Sequence, residues 1–188
     1  NSINFEEVKN LTQTISKQVD DIGRLVDEFS SFARMPEAEI KLDNLSQTLK
    51  ESFDLFSNSQ TKINMKLFSQ EKDIYYQFDR FQITQAFNNI IKNSVEAVAN
   101  IPNPLLSIKL FEENSLIKIM ITDNGVGIDE KKISKLFEPY FTTKDKGTGL
   151  GLSIVKKIIE DHGGIIRIKK NVNMAGTTSL IKFNYINV

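Results

Sequence analysis

Two glycine-rich segments, Asp123–Ile128 and Gly147–Leu152, constrain this chain more than any other feature of its sequence. Alternating glycines permit positive φ angles and let a flat or anionic ligand approach the backbone closely. The stretch Phe137–Lys144 lies between them, and Asn89 and Asn93 precede them in a helical context. Each feature alone is weak, but the four in this order indicate a nucleotide pocket.

Composition leaves room for one core domain with an extension. The chain has 188 residues, of which 40% are hydrophobic, and its 24 basic and 24 acidic residues cancel. This balance gives no reason to expect electrostatic capture of nucleic acid or of a membrane surface. The absence of cysteine excludes disulfides and thiolate metal sites, and a single histidine gives little support to zinc or Ser-His-Asp chemistry.

The first 36 residues differ in pattern from the rest. Apolar and small residues repeat at two interleaved heptad positions, namely Val8, Ile15, Ile22 and Phe29, and Thr12, Val19, Val26 and Ala33. Such a seam predicts a long amphipathic helix that ends before Pro36. We expect it to pack in an intermolecular bundle, and hence a homodimer; the alternative is a helix folded onto its own domain.

Beyond Pro36 the periodicity changes to that of a mixed α+β domain. Asp43 or Asn44, and later Asp79, are candidate N-caps. The predicted strands are 40–42, 63–68, 74–77, 105–111, 116–122, 165–170 and 178–184, and the predicted helices start near 45 and span 79–98, 130–136 and 150–161. We expect a two-layer sandwich in which the helices cover one face of a largely antiparallel sheet.

Asp123 follows a predicted strand and precedes a turn containing Gly125 and Gly127. A carboxylate accepts hydrogen bonds only, so it suits an exocyclic amino group such as that of adenine. The alternative is an ordinary Asp/Asn-Gly loop between a strand and a helix.

The second glycine segment opens a predicted helix. Gly147, Gly149 and Gly151 leave backbone N–H groups accessible at its N-terminus, where phosphate oxygens bind well. The segment matches neither the Walker A loop nor a good dinucleotide fingerprint. The alternative is a flexible linker.

Asn89 and Asn93 are four residues apart and share a helix face. Amide oxygens can complete an octahedral Mg²⁺ shell that also contains waters and substrate phosphates. Two solvated asparagines are the alternative.

The polar segment between the glycine motifs, 129–146, has the length and composition of a movable lid. Lys144 and Lys146 are candidates for phosphate contact or are simply solvated. We expect His162, which precedes Gly163, to serve a helix C-terminus rather than to accept a phosphoryl group.

From Ile40 to the C-terminus, these motifs resemble the N, G1, F and G2 boxes of sensor histidine kinases. The resemblance implies the GHKL, or Bergerat, ATP-binding fold with a mobile lid. It implies that Asn93 holds Mg²⁺, that Asp123 binds adenine with help from Thr177, and that the turn Gly147–Leu152 meets the phosphates.

The resemblance carries a full set of ATP-binding residues, with Asn93 as the metal ligand. They are Asn89, Asn93, Asp123, Gly125, Gly127, Thr142, Thr143, Lys144, Gly147, Thr148, Gly149, Leu150, Gly151, Leu152 and Thr177. No catalytic residue is certain. Wider relatives place a glutamate base at the position of Asn89, and since an amide cannot act as a base, hydrolysis is expected to be slow or absent.

The segment Asp27–Pro36 resembles the second dimerisation helix of NtrY-type nitrogen-regulation kinases. The implied division is a dimerisation part over 1–36 and an ATP-binding domain over 37–188. The helix with the phosphoacceptor histidine would lie before residue 1, so we expect the chain as given to bind ATP without phosphorylating itself.

The resemblance thus implies a two-component kinase domain that delivers the ATP γ-phosphate to a histidine, for onward transfer to a response-regulator aspartate. A cytoplasmic location is expected, with a parent protein that can be anchored in the inner membrane. The alternatives are a GHKL serine kinase of the anti-sigma type and a non-catalytic, nucleotide-gated interaction module.

Overall fold

A computed structural model describes residues 5–33, 35–59, 62–70, 72–144, 147–172 and 174–184. Five helices and seven strands are found in this part of the chain. In order they are α1 (Phe5–Ala33), β1 (Lys41–Asn44), α2 (Leu45–Ser57), β2 (Asn64–Ser69), β3 (Tyr75–Phe78), α3 (Arg80–Val98), β4 (Leu105–Glu113), β5 (Leu116–Asp123), α4 (Glu130–Ile133), α5 (Gly151–Asp161), β6 (Gly164–Lys170) and β7 (Thr177–Asn184).

The main sheet has five strands in the order β2-β4-β5-β7-β6. Only β2 and β4 run parallel; the other three pairings are antiparallel, as the sequence predicted. A two-residue turn at Asn114 and Ser115, both with φ near +55°, joins β4 to β5. Strands β1 and β3 form a separate antiparallel pair. Strand β5 therefore lies at the centre of the sheet, and its last residue is Asp123.

The core lies between one face of this sheet and helices α2, α3 and α5. Alternate residues of β5, Ile117, Ile119 and Ile121, are buried there, as the two-residue period of a strand requires. Phe87 of α3 and Ile158 of α5 are fully buried against them. The predicted two-layer α+β sandwich is confirmed.

The structure decides one predicted helix boundary and changes another. Asn44, rather than Asp43, caps α2: its side chain accepts from the Gln47 N–H at 2.9 Å. Helix α4 ends at Ile133 instead of residue 136, and single turns continue the chain towards Pro139. The residue before a proline disfavours the helical region, so the helical pattern cannot continue there.

Helix α1 confirms the predicted long helix. With 29 residues it is about 44 Å long. The heptad residues Val8, Ile15, Ile22 and Phe29 are 44–59% exposed, so the part of the chain that the structure describes does not cover the apolar seam. Among the described residues no helix is long and apolar enough to cross a membrane.

Candidate nucleotide-binding site

The predicted binding residues surround one cavity of about 750 Å³. The cavity lies between α3, the ends of β5 and β7, and the two glycine segments. All the predicted residues line it except Gly125 and Leu150. Leu150 is fully buried in the core. Gly125 instead packs against α3, where an added Cβ would lie 2.6 Å from the Ala97 carbonyl oxygen.

Asp123 is held rigidly at one end of the cavity. It is 1% exposed, and its carboxylate accepts three hydrogen bonds. Oδ1 accepts from the Gly125 and Thr177 N–H groups at 2.9 and 3.2 Å, and Oδ2 accepts from the Thr177 hydroxyl at 2.6 Å. Because an ionised carboxylate has about four acceptor positions, one remains on Oδ2.

A second polar group, missed by the sequence reasoning, stabilises this corner. The Asn171 amide donates to the Asp123 carbonyl oxygen at 2.8 Å, and its own oxygen accepts from the Thr178 hydroxyl at 2.7 Å. Asn171 comes directly after β6, and Thr178 lies in β7. Nothing in the sequence around Asn171 distinguishes it from an ordinary loop asparagine.

The other end of the cavity is the N-terminus of α5. Its N-cap residue, Leu150, provides no side-chain hydrogen bond, and Gly151 and Leu152 in the first turn line the cavity. Gly149 has φ +74°, and a Cβ there would overlap the backbone of Tyr140. This position therefore requires glycine. The N–H groups of the first turn of α5 have no carbonyl partner within the helix.

Helix α3 forms the long wall between these two ends. Asp79 caps it, accepting from the Gln82 N–H at 3.0 Å. Asn89, Asn93 and Glu96 all line the cavity from this helix. Glu96 was not among the predicted residues, although its spacing of three from Asn93 places it on the same helix face.

Lys144, in the segment between the glycine motifs, reaches across the cavity to this wall. Its ammonium donates to Asn93 Oδ1 at 2.8 Å and forms an ion pair with the Glu96 carboxylate. Thr142, Thr143 and Phe141 also line the cavity. Lys146, the other predicted phosphate contact, lies outside the described residues.

The donor set of α3 suits a hard cation. Asn93 Oδ1 already accepts from a positively charged group, and amide and carboxylate oxygens are ligands that Mg²⁺ uses, together with phosphates and water. Among the described residues no cluster of three His, Asp or Glu side chains provides a closed metal cage. An ion here would therefore need further ligands from water or from a bound phosphate.

His162 caps the C-terminus of α5, as the sequence predicted, and is 5% exposed. Its Nδ1 lies 2.7 Å from the Ile158 carbonyl oxygen, and its Nε2 accepts from the Asp79 N–H at 3.0 Å. Both ring nitrogens are occupied, so the ring ties α5 to the start of α3 and is not presented to a phosphoryl donor.

Burial acts to raise the pKa of Asp79, but hydrogen bonds from the Gln82, Glu39 and Phe81 backbone N–H groups hold that pKa below its ordinary value of 3.8. The N-cap of the helix that carries Asn93 is therefore charged at neutral pH.

Fold and cavity together define a two-layer nucleotide-binding domain, with a buried carboxylate at one end of the cavity and a helix N-terminus at the other. The family described as "Histidine kinase-, DNA gyrase B-, and HSP90-like ATPase" matches residues 78–186, more than half of the chain. The chain belongs to this family, as a histidine-kinase-type ATPase domain.

Curated relatives are sensor kinases. The nitrogen regulation protein NtrY of Azorhizobium caulinodans is 39% identical over 164 residues, covering 84% of this chain and 21% of the relative. The sensor histidine kinase ZraS of Escherichia coli is 29% identical over 176 residues, covering 93% of this chain and 37% of the relative. The chain thus spans between about a fifth and two fifths of the length of these proteins. The predicted likeness to NtrY-type kinases is confirmed.

Solved structures of histidine kinases resemble this fold. The catalytic domain of histidine kinase ThkA superposes with a TM-score of 0.70 at 31% identity, covering 78% of this chain and 96% of that one. ThkA in complex with response regulator protein TrrA gives a TM-score of 0.77 at 26% identity, covering 98% of this chain and 53% of that one.

Proposed function

We propose that this chain is the ATP-binding kinase part of a two-component sensor histidine kinase. It would deliver the ATP γ-phosphate to a histidine on a dimerisation helix, for onward transfer to a response-regulator aspartate. The observation that carries the proposal is the cavity itself: a buried, oriented carboxylate faces the same space as the uncapped N-terminus of α5.

Asp123 selects the base. Its one open acceptor position, on Oδ2, suits the exocyclic amino group of adenine and opposes the carbonyl oxygen that guanine has there. Thr177 and the Gly125 N–H fix the orientation of the carboxylate before the nucleotide arrives. Little reorganisation is then needed on binding.

The phosphates lie at the opposite end of the cavity. The N–H groups at the start of α5, with the helix dipole behind them, stabilise phosphate oxygens. Asn93 would hold Mg²⁺, which neutralises the charge on the phosphates when it is bound. Thr142 and Thr143 line the same space and would contact the phosphates as the segment closes.

The position at which the wider relatives place a glutamate base is occupied here by Asn89. Asn89 lines the cavity with an amide, which cannot remove a proton from water. We therefore expect slow hydrolysis and transfer mainly to a correctly positioned histidine, with catalysis by orientation and charge neutralisation. His162 is not that histidine, because both its ring nitrogens are hydrogen-bonded within the fold.

The division into a dimerisation part over 1–36 and a catalytic domain over 37–188 belongs to the same proposal. The exposed apolar seam of α1 would pair with a second copy and with the phosphoacceptor helix. The complex of ThkA with response regulator TrrA supports a response regulator as the further partner.

Transfer to a supplied histidine helix tests the proposal. The chain is mixed with γ-labelled ATP, Mg²⁺ and a helical-hairpin fragment carrying the phosphoacceptor histidine of NtrY from Azorhizobium caulinodans. We expect acid-labile, alkali-stable label on that fragment and little free phosphate. A fragment whose histidine is replaced by glutamine is the control.

Three other outcomes would contradict the proposal. Nucleotide binding without any transfer would favour an interaction module. Acid-stable label on a serine would favour a serine kinase of the anti-sigma type. Rapid phosphate release over many turnovers would make the chain a hydrolase.

A further inference from the structure

One ammonium group joins the two oxygen-bearing side chains of α3 that face the phosphate end of the cavity. Lys144 Nζ lies 2.8 Å from Asn93 Oδ1 and is in direct contact with Glu96 Oε2. Two oxygens on successive turns of one helix thus converge on a single cationic point. All three residues line the cavity, so this contact belongs to the candidate site.

Glu96 is the carboxylate of this cavity that is free to change partners. Asp123 and Glu96 are the acidic side chains lining it within the described part of the chain. Asp123 is buried and fixed by three donors, whereas the Glu96 and Lys144 side chains are each 42% exposed. An ion pair of this exposure contributes little, so a competing cation can displace the lysine.

We propose that Glu96 is a magnesium-site residue and that Lys144 is the internal cation that occupies the site until the metal–nucleotide complex binds. The inference rests on the proposed function. Mg²⁺ is commonly held by one or two carboxylates together with substrate phosphates, directly or through its waters. Asn93 and Glu96 supply the two protein oxygens, and the metal and the Lys144 ammonium exclude each other.

The exchange changes the charge at the phosphate end of the cavity. Glu96 and Lys144 together are neutral. Once a divalent ion replaces the ammonium, the ion and Glu96 carry one net positive charge, and Lys144 is free to turn to the phosphates. The ion and the Lys144 ammonium then both face the polyanion, in addition to Lys92, which also lines the cavity, so metal binding and phosphate capture by Lys144 are coupled.

Manganese binding to the nucleotide-free protein tests the exchange. Mn²⁺ is titrated into the isotope-labelled chain, and paramagnetic broadening of the backbone amide signals of residues 93–97 is followed by NMR. Lys144→Met keeps the aliphatic stem but removes the competing charge, and should raise the apparent Mn²⁺ affinity about two- to fivefold over wild type. The double variant Lys144→Met/Glu96→Gln should lose that gain.

The matched control is Lys157→Met. Lys157 pairs with Asp161 on α5 at 2.8 Å with similar exposure, 45% and 42%, but neither residue lines the cavity. This variant should bind Mn²⁺ as wild type does. Equal broadening in wild type and Lys144→Met would overturn the exchange, and broadening that persists in the double variant would overturn the role of Glu96.

A parallel titration with fluorescent ADP in EDTA separates this inference from the proposed function. Since that titration contains no divalent ion, nucleotide binding there depends on Asp123 and the glycine segments and not on the exchange. Normal ADP binding with an unchanged manganese response would reject the exchange alone. Failure of ADP binding in wild type would reject the nucleotide site itself.

Discussion

Asp123→Asn is the substitution that most directly probes the base end of the cavity. Asparagine has nearly the same shape as aspartate, but the three donors around Asp123 respond to the change differently. The Gly125 and Thr177 N–H groups still meet an acceptor if the amide oxygen takes the place of Oδ1. The new NH₂ then replaces Oδ2, and the Thr177 hydroxyl can rotate to accept from it.

The fold should therefore survive while base recognition fails. The position that was open for the adenine amino group now carries a donor, so two donors oppose each other. A hydrogen bond to a charged acceptor contributes about 1.5–3 kcal/mol, which corresponds to about a 10- to 150-fold loss of affinity. Guanine presents an acceptor at the same place, so the preference for ATP over GTP should narrow or reverse.

Calorimetric titration with non-hydrolysable analogues of ATP and GTP, at fixed Mg²⁺, measures both effects, and a thermal melt of each protein checks the fold. Thr177→Ser, which retains the hydroxyl, is the control and should bind within a few-fold of wild type. An Asp123→Asn variant with unchanged melting temperature and ATP affinity within about threefold of wild type would refute direct contact between this carboxylate and the base.

Four further substitutions have defined outcomes. Gly149→Ala forces a left-handed φ on a residue with a Cβ, at about 1–2 kcal/mol plus overlap with the neighbouring backbone, so both melting temperature and nucleotide affinity should fall. Gly23→Ala, in an open helical position, should instead stabilise, and equal effects of the two would contradict this. Asp79→Ala should lower the free energy of unfolding by about 0.5–2 kcal/mol at pH 7. Because the folded pKa of Asp79 lies below 3.8, its contribution is present above that value and is lost as pH falls through the folded pKa. Urea unfolding should therefore show the variant approaching wild type in acid, and a constant difference down to pH 3 would argue against the charged cap. Ile22→Glu in the seam of α1 should abolish self-association in sedimentation runs while Gln18→Glu does not. A wild-type chain that sediments as a monomer would contradict pairing through the seam.

Much of the fold was predictable because local signals agree with the tertiary structure. In β5 every second residue faces the core, as the alternating sequence pattern predicted, and α3 begins directly after its capping residue Asp79. Strand pairing was not predictable in the same way. The parallel contact between β2 and β4 depends on a crossover through β3 and α3, and no short-range pattern specifies which strands become neighbours.

The site residues, too, include some that were predictable from the sequence and some that were not. Asp123, Asn93 and Gly149 belong to contiguous motifs in which each residue type has a chemical reason, and all three line the cavity. Asn171 and Glu96 have no such motif. Each acts through a partner distant in the chain, 48 residues away for both, so only the folded arrangement reveals them.

The two ends of the cavity differ in how they are built, and this difference bears on how the domain works. At the base end the carboxylate is buried and its donors come from strand ends and a tight turn, so the proposed recognition of adenine would need little rearrangement. At the phosphate end the contacts are exposed and join a helix to a loop across an open gap. A nucleotide can therefore be selected by its base before the phosphate end is rearranged. A divalent ion, alone or carried by the phosphates of a nucleotide, replaces the Lys144 contact with Asn93 and Glu96. Adenosine without a divalent ion should therefore occupy the base end and leave Lys144 where it is.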